Sequence, residues 1–543
     1  MRYLFLSIAL TCFTIWNLQA QKRQQPDLVV TVVVDQMRWD YLYRYFDRFS
    51  EHGFRRLMSE GFLCENTFIN HIPSYTAPGH ATVYTGTVPA IHGITGNDWY
   101  DNITGRSWYC VEDTLVQPVG GSGNPKKGKM SPRNLLSSTI TDELKLATQM
   151  RSKVFAIAIK DRGSILPAGH LADGAFWYDD LSGSLITSTY YTDTLPKWLN
   201  KFNARKLPDT YLRNAWKTLY PIESYIQSTT DSNAYEGDIG DKQSYFPHRT
   251  KIQSSPSYQV LKKIPAGNTY TFEAAKACIL GNSLGRGKDP DFIAISLSAT
   301  DYIGHIFNPN SVEVEDTYLR LDLDIADFLE FLDEYAGEGN YLLMLTADHG
   351  VSHNADYMRD IGMPAGNDSE RKLFKELKKY VKEQLGHDSL ILAVENYQIF
   401  FHEDKIRQNN IDRNHLKQLL TNWLHTQPQI AYVLDMDHPG QWAVPSLVKT
   451  MATHGYHRMR SGVLWIIHNP GWYFGYAQTG TSHSNWHAYD THIPLIWYGK
   501  GVRRGKTYQK VHMEDIAPTL AALLQIQMPN GTIGKVISAV IEE

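Results

Sequence analysis

Four runs of apolar residues in this sequence each end at charged side chains, and this recurrence limits the folds that the chain can adopt. The first run, Leu28–Val34, is rich in β-branched residues and stops abruptly at Asp35. A continuous run of this kind is typical of a parallel strand that is buried on both faces. The other runs and the polar residues that follow them are 154–159 with Lys160, Asp161 and Arg162; 292–297 with Asp301; and 341–346 with Asp348 and His349.

These strand ends are predicted to converge. In an open α/β sheet the ligand binds outside the carboxyl ends of the strands. A surface carboxylate that caps a neighbouring element could explain any one of the four ends, but coincidence is a poor explanation for all of them. Apolar residues at mostly helical spacing also predict a helix over 311–335 that packs on the sheet. The sequence therefore predicts an α/β fold with a central, mostly parallel sheet flanked by helices.

Two stretches between the core elements are predicted to be inserted cap regions, at about 167–290 and about 353–480. The first contains a hairpin pattern over 176–187 around a Ser-Gly turn. The second contains a helix that begins at Ser369 and stops at Gly386. Its later elements, and those with which the core resumes, are strands over 390–394, 398–401 and 431–434, a helix over 412–425, a core strand within 491–499 and a closing helix over 513–524.

The first 20 residues predict a cleaved export signal. They carry an early Arg2, a short apolar run and the small Ala20 at the expected cleavage position. Because the run is short and is broken by Asn17, no membrane span is expected in the mature chain, and we expect a periplasmic or secreted protein. The formal net charge of −4, with no basic stripe, argues against nucleic acid as a specific partner. We expect a protein that acts on small molecules; a monomer is compatible with the sequence, which leaves the oligomeric state open.

The cysteines exclude a thiolate metal site. After removal of the signal, the chain holds Cys64, Cys110 and Cys278. Three cysteines permit at most one disulfide, and the sequence leaves any pairing open. Metal ligands must therefore be histidines and carboxylates.

The stretch 73–86 predicts a helix whose start suits a nucleophile. We interpret Thr76 as the N-cap, with Pro78 in the first turn, where its missing N–H group is not needed. Free backbone N–H groups and the positive end of the helix dipole would favour an anion there and lower the pKa of a hydroxyl. Most capping threonines have no further role, so this stretch alone does not identify a nucleophile.

The polar residues near the strand ends form a donor set that suits zinc. Asp301 and His305 are four residues apart, which places them on one side of a single helical turn. Three carboxylates and three imidazoles exceed the needs of one tetrahedral ion, but they suit two ions about 3.5–4 Å apart. The candidate ligands are Asp35, Asp301, His305, Asp348, His349 and His483, with Thr76 beside them. The histidines with no assigned ligand role are His80, His353, His487 and His492.

Charge counting indicates phosphoryl transfer. Two Zn²⁺ and three carboxylates sum to about +1, and Lys160 with Arg162 raises the sum to about +3. A phosphate monoester dianion with a threonine alkoxide brings a matching charge of about −3. Asn97, in a Gly-rich stretch, is by composition a turn residue.

Several short motifs together resemble the alkaline phosphatase superfamily, and most closely the phosphate-irrepressible, PafA-type periplasmic alkaline phosphatases. The resemblance spans nearly the whole mature chain and is specific in combination. The motifs that carry it are Val34-Asp35, Tyr75-Thr76-Ala77-Pro78-Gly79-His80, Gly96-Asn97, Lys160-Asp161-Arg162-Gly163-Ser164, Thr300-Asp301-Tyr302-Ile303-Gly304-His305, Thr346-Ala347-Asp348-His349-Gly350 and Asp515-Ile516-Ala517-Pro518-Thr519-Leu520.

The resemblance implies a role for each candidate residue. It implies one zinc held by Asp301, His305 and His483, and a second held by Asp35, Asp348 and His349 with Thr76 bridging to it as the nucleophile. Asn97, Lys160 and Arg162 would bind the phosphate oxygens, and the reaction would pass through a covalent phospho-threonine. The residue after His483 is not the expected glycine, which leaves His487 as an alternative ligand, with His483 favoured by its distance to 489–492.

Two other functions remain open at this point. A phosphodiesterase or nucleotide pyrophosphatase would use the same threonine and zinc ions, but a diester has one fewer charged oxygen and less use for Lys160 and Arg162. A non-catalytic binding protein would be expected to have lost the nucleophile or a ligand, and neither is lost here. The sequence leaves open whether Ca²⁺ binds near acidic turns such as 238–241.

Overall fold

The computed structural model describes residues 25–251, 257–475 and 478–542. The predicted export signal, residues 1–20, lies outside the described residues. Among the residues that are described, no helix combines the length and apolar character needed to cross a membrane.

The strands, numbered in chain order, are β1 (Leu28–Val34), β2 (Phe62–Cys64), β3 (Thr67–Phe68), β4 (Asp98–Tyr100), β5 (Ser107–Tyr109), β6 (Pro118–Val119), β7 (Val154–Ala158), β8 (Gly174–Asp179), β9 (Ser184–Ser188), β10 (Asp291–Leu297), β11 (Tyr341–Thr346), β12 (Gly366–Asp368), β13 (Ile391–Glu395), β14 (Gln398–Phe401), β15 (Ile430–Asp435), β16 (Leu464–His468), β17 (Trp472–Phe474), β18 (His492–Ile493), β19 (Leu495–Gly499), β20 (Gly505–Thr507) and β21 (Val511–His512). The α-helices are Tyr41–Arg44, Phe54–Glu60, Thr76–Thr85, Pro89–His92, Pro125–Gly128, Ile140–Ala147, Asp161–Ala168, Lys197–Ala204, Leu207–Tyr211, Ala266–Asn282, Ala299–Phe307, Val312–Ala336, Ala355–Asp360, Glu370–Leu385, Glu403–Gln408, Arg413–Leu424, Ser446–Gly455, Ala488–Thr491 and Ile516–Leu524.

The central sheet has a parallel core, as the apolar runs predicted. Its strand order is β20-β2-β19-β11-β1-β10-β7-β8-β9-β6, and the five strands from β11 to β8 are mutually parallel. β1, β7, β10 and β11 are buried along their whole length, which explains their continuous apolar sequences. Since these strands run in one direction, their carboxyl ends lie at one edge of the sheet.

Helices cover the sheet, and one of them delivers the Thr76 segment to that edge. The Thr76–Thr85 helix is buried at every residue. The long Val312–Ala336 helix begins after Ser311, whose side chain accepts a hydrogen bond from Val314 N at 3.1 Å. The predicted α/β architecture, a mostly parallel sheet flanked by helices, is confirmed.

The stretch 167–290 differs from the expectation of a cap above the sheet. Its hairpin forms, but β8 pairs with β7 in parallel, and β8 and β9 thereby extend the central sheet. The polar and aromatic composition of this stretch favours a surface insertion, because composition alone does not reveal that β8 pairs with β7, the strand before it in the chain.

The stretch 353–480 builds a small sheet of its own, in the order β13-β14-β16-β15. Leu377, Ile399, Leu420 and Leu464 belong to a separate hydrophobic cluster beneath it. The division of the chain into one domain with two caps stays a prediction. Cys64, Cys110 and Cys278 are all buried and unpaired.

Candidate active site

Thr76 is the first helical residue and not the N-cap. Tyr75, with φ −108° and ψ 163°, is the extended residue that precedes the helix, and no side chain of the cap position accepts a hydrogen bond. The capping oxygen comes instead from Asn97, whose Oδ1 accepts from Ala77 N at 3.0 Å. The Thr76 hydroxyl is therefore not engaged in capping. Its Oγ1 lies 3.4 Å from His349 Nε2 and 3.3 Å from Lys160 Nζ.

One group of potential metal ligands lies directly at the ends of β1 and β11. Ligand atoms of Asp35, Asp348 and His349 all lie within 4.8 Å of one another, and all three residues are buried. His349 Nε2 is 3.4 Å from Asp35 Oδ1 and 3.7 Å from Asp348 Oδ2. This group is the same as the ligand set that the resemblance implied for the ion next to Thr76.

A second group shares His349. It brings Asp301 and His483 together with His349, again with ligand atoms within 4.8 Å. His483 Nε2 is 3.8 Å from Asp301 Oδ1. His305 borders this group from the same helical turn as Asp301, with its Nε2 3.2 Å from Asp301 Oδ1. The predicted ligand His305 therefore borders the observed group, in which His349 stands together with Asp301 and His483.

Backbone carbonyls fix the orientation of two of these imidazoles. The Nδ1 of His305 lies 2.9 Å from Thr481 O, and the Nδ1 of His483 lies 2.8 Å from Ser74 O. When Nδ1 donates to a carbonyl, Nε2 is left unprotonated and free to bind a metal ion. Burial, together with nearby His349 and His305, lowers the pKa of His483 well below its usual value, which favours the neutral form that binds metal.

His487, the alternative to His483, faces elsewhere. Its ring packs against Trp486 and Tyr489, at centroid distances of 4.5 Å and 5.2 Å. His353 bonds to Arg38 and Asn310, and His492 stacks between Trp39 and Phe68.

His80 supports the site without joining either ligand group. Its Nδ1 lies 2.9 Å from Thr76 O and 3.2 Å from Asp348 Oδ2, and its Nε2 lies 2.9 Å from Ser296 Oγ. His80 thus links the start of the Thr76 helix to the carboxylate of Asp348.

The electrostatics of the pocket call for additional positive charge. Burial, and then the like charge of Asp348, raise the pKa of Asp35. Burial alone would raise the pKa of Asp348 too, but His349 and His80 lower it overall. Among the described residues, no well-aligned hydrogen bond reaches either oxygen of Asp35 or the Oδ2 of Asp348. Buried carboxylates in this state are expected to coordinate metal ions, and the mixed carboxylate and imidazole set fits Zn²⁺.

Lys160 lies among these carboxylates. Its Nζ is 2.6 Å from Asp35 Oδ2 and 2.6 Å from Asp301 Oδ2. Arg162 is half-buried, and its Nη1 donates to Tyr109 Oη at 3.1 Å. Its Nε has no acceptor in the described part of the chain. Of the two cations, Lys160 is the one in contact with Thr76, with its Nζ 3.3 Å from Thr76 Oγ1.

Gln36 is a site residue that the sequence analysis missed. It is buried, has a positive φ of 68°, donates from Nε2 to Asp301 Oδ1 at 2.8 Å and donates from its backbone N to Asp348 Oδ1 at 3.2 Å. It thus holds one carboxylate from each ligand group. The signal that could have found it was its place directly after Asp35.

Comparisons with known proteins identify the family of this chain. The family model described as type I phosphodiesterase / nucleotide pyrophosphatase matches residues 29–490. A protein of Myroides odoratus named calcium-transporting ATPase is 47% identical over 98% of this chain and 98% of its own. Alkaline phosphatase PhoV of Synechococcus elongatus is 46% identical over 100% of both chains.

Alkaline phosphatase PafA of Elizabethkingia meningoseptica is similar in both sequence and structure. It is 45% identical over 95% of both chains. A crystal structure of wild-type PafA matches with a TM-score of 0.93 and 44% identity, covering 96% of this chain and 99% of that chain. The enzyme described here therefore belongs to the type I phosphodiesterase / nucleotide pyrophosphatase family of the alkaline phosphatase superfamily.

Proposed function

We propose that this enzyme is an exported, zinc-dependent alkaline phosphatase that hydrolyses phosphate monoesters through a phospho-threonine intermediate. The observation that carries the proposal is the position of Thr76 Oγ1, 3.3 Å from Lys160 Nζ and 3.4 Å from His349 Nε2, beside two groups of buried ligands. The full-length similarity to PhoV and PafA supports the same reaction class. Export through residues 1–20, to the periplasm or the medium, is part of the proposal.

Two zinc ions are proposed as cofactors. Asp35, Asp348, His349 and Thr76 would hold one ion, and Asp301, His305 and His483 would hold the other. When bound, such ions lower the pKa of an attached hydroxyl or water and stabilise charge on the attacking and leaving oxygens.

In the proposed reaction, the side chains of the protein take part in the following steps. Thr76 Oγ1 attacks phosphorus, the bond from phosphorus to the alcohol oxygen breaks, and its electron pair leaves with that oxygen. The proton of the Thr76 hydroxyl passes to solvent, and the leaving alcohol oxygen takes up a proton from solvent. A water molecule next attacks the phosphorus of phospho-threonine, and inorganic phosphate leaves as Thr76 is regenerated. Lys160 Nζ favours the ionised form of Thr76 because it can donate a charge-assisted hydrogen bond to Oγ1.

Three side chains are proposed to bind the phosphate oxygens. The Oδ1 of Asn97 is occupied by Ala77 N, so its Nδ2 remains as a donor. Lys160 and Arg162 would add two positive charges, and Lys160 Nζ lies 3.3 Å from Thr76 Oγ1. A solved variant of PafA replaces a threonine, an asparagine, a lysine and an arginine, which are the same four residue types.

The family description favours a second candidate, a phosphodiesterase or nucleotide pyrophosphatase. The two candidates differ in how many charged oxygens the site must bind. The test is a side-by-side measurement of kcat/KM on an aryl phosphate monoester and the matching alkyl aryl diester, before and after chelation. We expect the monoester to be preferred by several orders of magnitude. A preference for the diester would overturn the phosphatase proposal and support the second candidate.

A further inference from the structure

A cavity of about 180 Å³ lies beside the proposed phosphate-binding residues. Lys160 and Arg162 line it, and Lys160 Nζ also lies 3.3 Å from Thr76 Oγ1. Two further lysines from distant segments, Lys127 and Lys262, also line it, together with the ring of Tyr302. The phosphoryl transfer proposed above makes no use of these two lysines.

We propose that Lys127 and Lys262 form a second anion subsite, which binds a phosphate group carried by the leaving group of the substrate. The favoured substrates are then small molecules that carry two phosphate groups close together. This inference rests on the proposed phosphatase function and deepens it by naming a substrate class.

The two lysines are oriented by one buried carboxylate. Lys127 Nζ lies 2.7 Å from Asp180 Oδ1, and Lys262 Nζ lies 2.7 Å from Asp180 Oδ2. Burial would raise the pKa of Asp180, but hydrogen bonds from the two lysines lower it overall, so the carboxylate stays ionised. Because an ammonium group has three N–H donors, each lysine keeps donors that Asp180 does not use. The three groups together retain one net positive charge.

The spacing suits a substrate that reaches from one site to the other. Lys160 Nζ and Lys262 Nζ each lie 5.2 Å from the ring centre of Tyr302. The two ammonium groups are therefore at most twice that distance apart, which is about one Debye length (~10 Å) at 0.1 M salt. An anion next to Lys160 is consequently within the field of Lys262. The side chains of Lys262 and Lys127 are 19% and 36% exposed, so an incoming anion can reach both.

A structural ion-pair triad is the alternative explanation. Asp180 would then serve to join the segments that carry the two lysines, and substitutions would change stability and leave substrate preference unchanged. The two explanations differ in their effect on selectivity.

ADP and AMP are suitable probes, because they differ in the leaving group. In ADP the bond between the terminal phosphorus and the bridging oxygen breaks, and that oxygen leaves with the electron pair as part of AMP, which is anionic. In AMP the leaving group is adenosine, which is neutral. The measured quantity is the ratio of kcat/KM for ADP to kcat/KM for AMP, from initial rates of phosphate release by the zinc-loaded enzyme.

We expect Lys262→Ala, and the double variant with Lys127→Ala, to lower this ratio at least about tenfold. Lys126→Ala is the matched control, because Lys126 is exposed next to Lys127 and does not line the cavity. Asp180→Asn should raise the ratio, since it removes the negative charge between the two lysines. An ion-pair triad that only joins segments cannot explain a ratio that falls in the lysine variants and rises in Asp180→Asn.

The outcomes separate the two proposals. Hydrolysis of AMP with an unchanged ratio in both the lysine variants and Asp180→Asn would overturn the second subsite alone. Failure of the wild-type enzyme to hydrolyse either compound would overturn the phosphatase function itself. If a lysine variant does not fold, the ratio in Asp180→Asn decides, and a fall or no change there contradicts the subsite.

Discussion

The proposed chemistry depends most directly on the hydroxyl group of Thr76. We predict that Thr76→Ala lowers kcat/KM for an aryl phosphate at least ~10³-fold, because the group that forms the covalent intermediate is lost. Thr76→Ser should keep a substantial part of the rate, since the hydroxyl remains. The hydroxyl caps nothing, so the melting temperature of the Ala variant should change little. Wild-type rates in a folded Ala variant would mean that water attacks phosphorus directly.

Lys160 and Arg162 are the residues proposed to favour a monoester over a diester. We predict that the double variant Lys160→Ala, Arg162→Ala loses several orders of magnitude in kcat/KM on a monoester and much less on the matching diester. Each charge-assisted contact that tightens in the transition state is typically worth ~10²–10³ in rate, although neighbouring effects seldom add. Equal losses on both substrates in a folded variant would indicate that the two cations serve the structure, through pairs such as that between Lys160 and Asp301.

His483 and His487 can be distinguished by counting metal ions. We predict that His483→Ala holds about one zinc ion fewer than the wild type, because its Nε2 faces the second ligand group. His487→Ala is the matched control and should keep the wild-type zinc content, since its ring packs between aromatic side chains. Elemental analysis of the purified proteins measures both. Loss of zinc from the His487 variant alone would reverse the assignment.

At the scale of single elements, the fit of the Thr76–Thr85 helix against the loop of Asp348 depends on Gly79. A Cβ added at Gly79 would lie 2.3 Å from Asp348 O and 2.9 Å from Asp348 Cβ. Because the nearest atom belongs to the backbone, a side-chain rotation cannot relieve the clash. Either the helix or Asp348 must therefore move. We predict that Gly79→Ala lowers kcat/KM at least about tenfold, because small displacements of catalytic groups are costly, and lowers the melting temperature as well.

Gly440 offers a control for that substitution. Apart from its chain neighbours, no atom of the described residues lies within 4 Å of a Cβ added there, and the residue is outside the site. Gly440→Ala should leave kinetics and melting temperature close to those of the wild type. Similar effects of the two substitutions would contradict the close contact at Asp348.

Much of the order of helices and strands could be predicted because it depends on local sequence patterns. The buried parallel strands are recognisable as apolar runs, and the polar residue after each run marks the edge of the sheet where the candidate site lies. The extension of the sheet by β8 and β9 could not be predicted, because it depends on pairing with β7. The role of Gln36 could not be identified from the sequence, because it depends on contacts with Asp301 and Asp348, which are far away in the chain. Lys127 and Lys262 are also far apart in sequence and both pair with Asp180.

At the scale of the whole molecule, the two ligand groups join segments that are distant in sequence, from Asp35 to His483. Zinc bound to these groups should therefore stabilise the entire fold. Ligand that binds the folded state alone adds about 2.7 kcal/mol of stability at a hundredfold excess over its Kd. We predict that exhaustive chelation abolishes turnover and lowers the melting temperature by several degrees, and that added zinc restores both. Full turnover of protein shown to be metal-free by elemental analysis would overturn the two-zinc site.

The substitution Asp35→Asn should affect the melting temperature in opposite directions without and with metal. Without metal, Asp35 is a buried carboxylate next to Asp348, and burial and this like charge raise its pKa, which marks the ionised form as unfavourable. Asp35→Asn should therefore raise the melting temperature of the chelated protein. With zinc present the variant should gain less stability than the wild type, because a ligand is missing. Differential scanning fluorimetry of both proteins, with chelator and with zinc, measures the four values. A buried carboxylate with a purely structural role would instead make Asp35→Asn destabilising in both states, since its loss would then remove favourable contacts whether or not metal is bound.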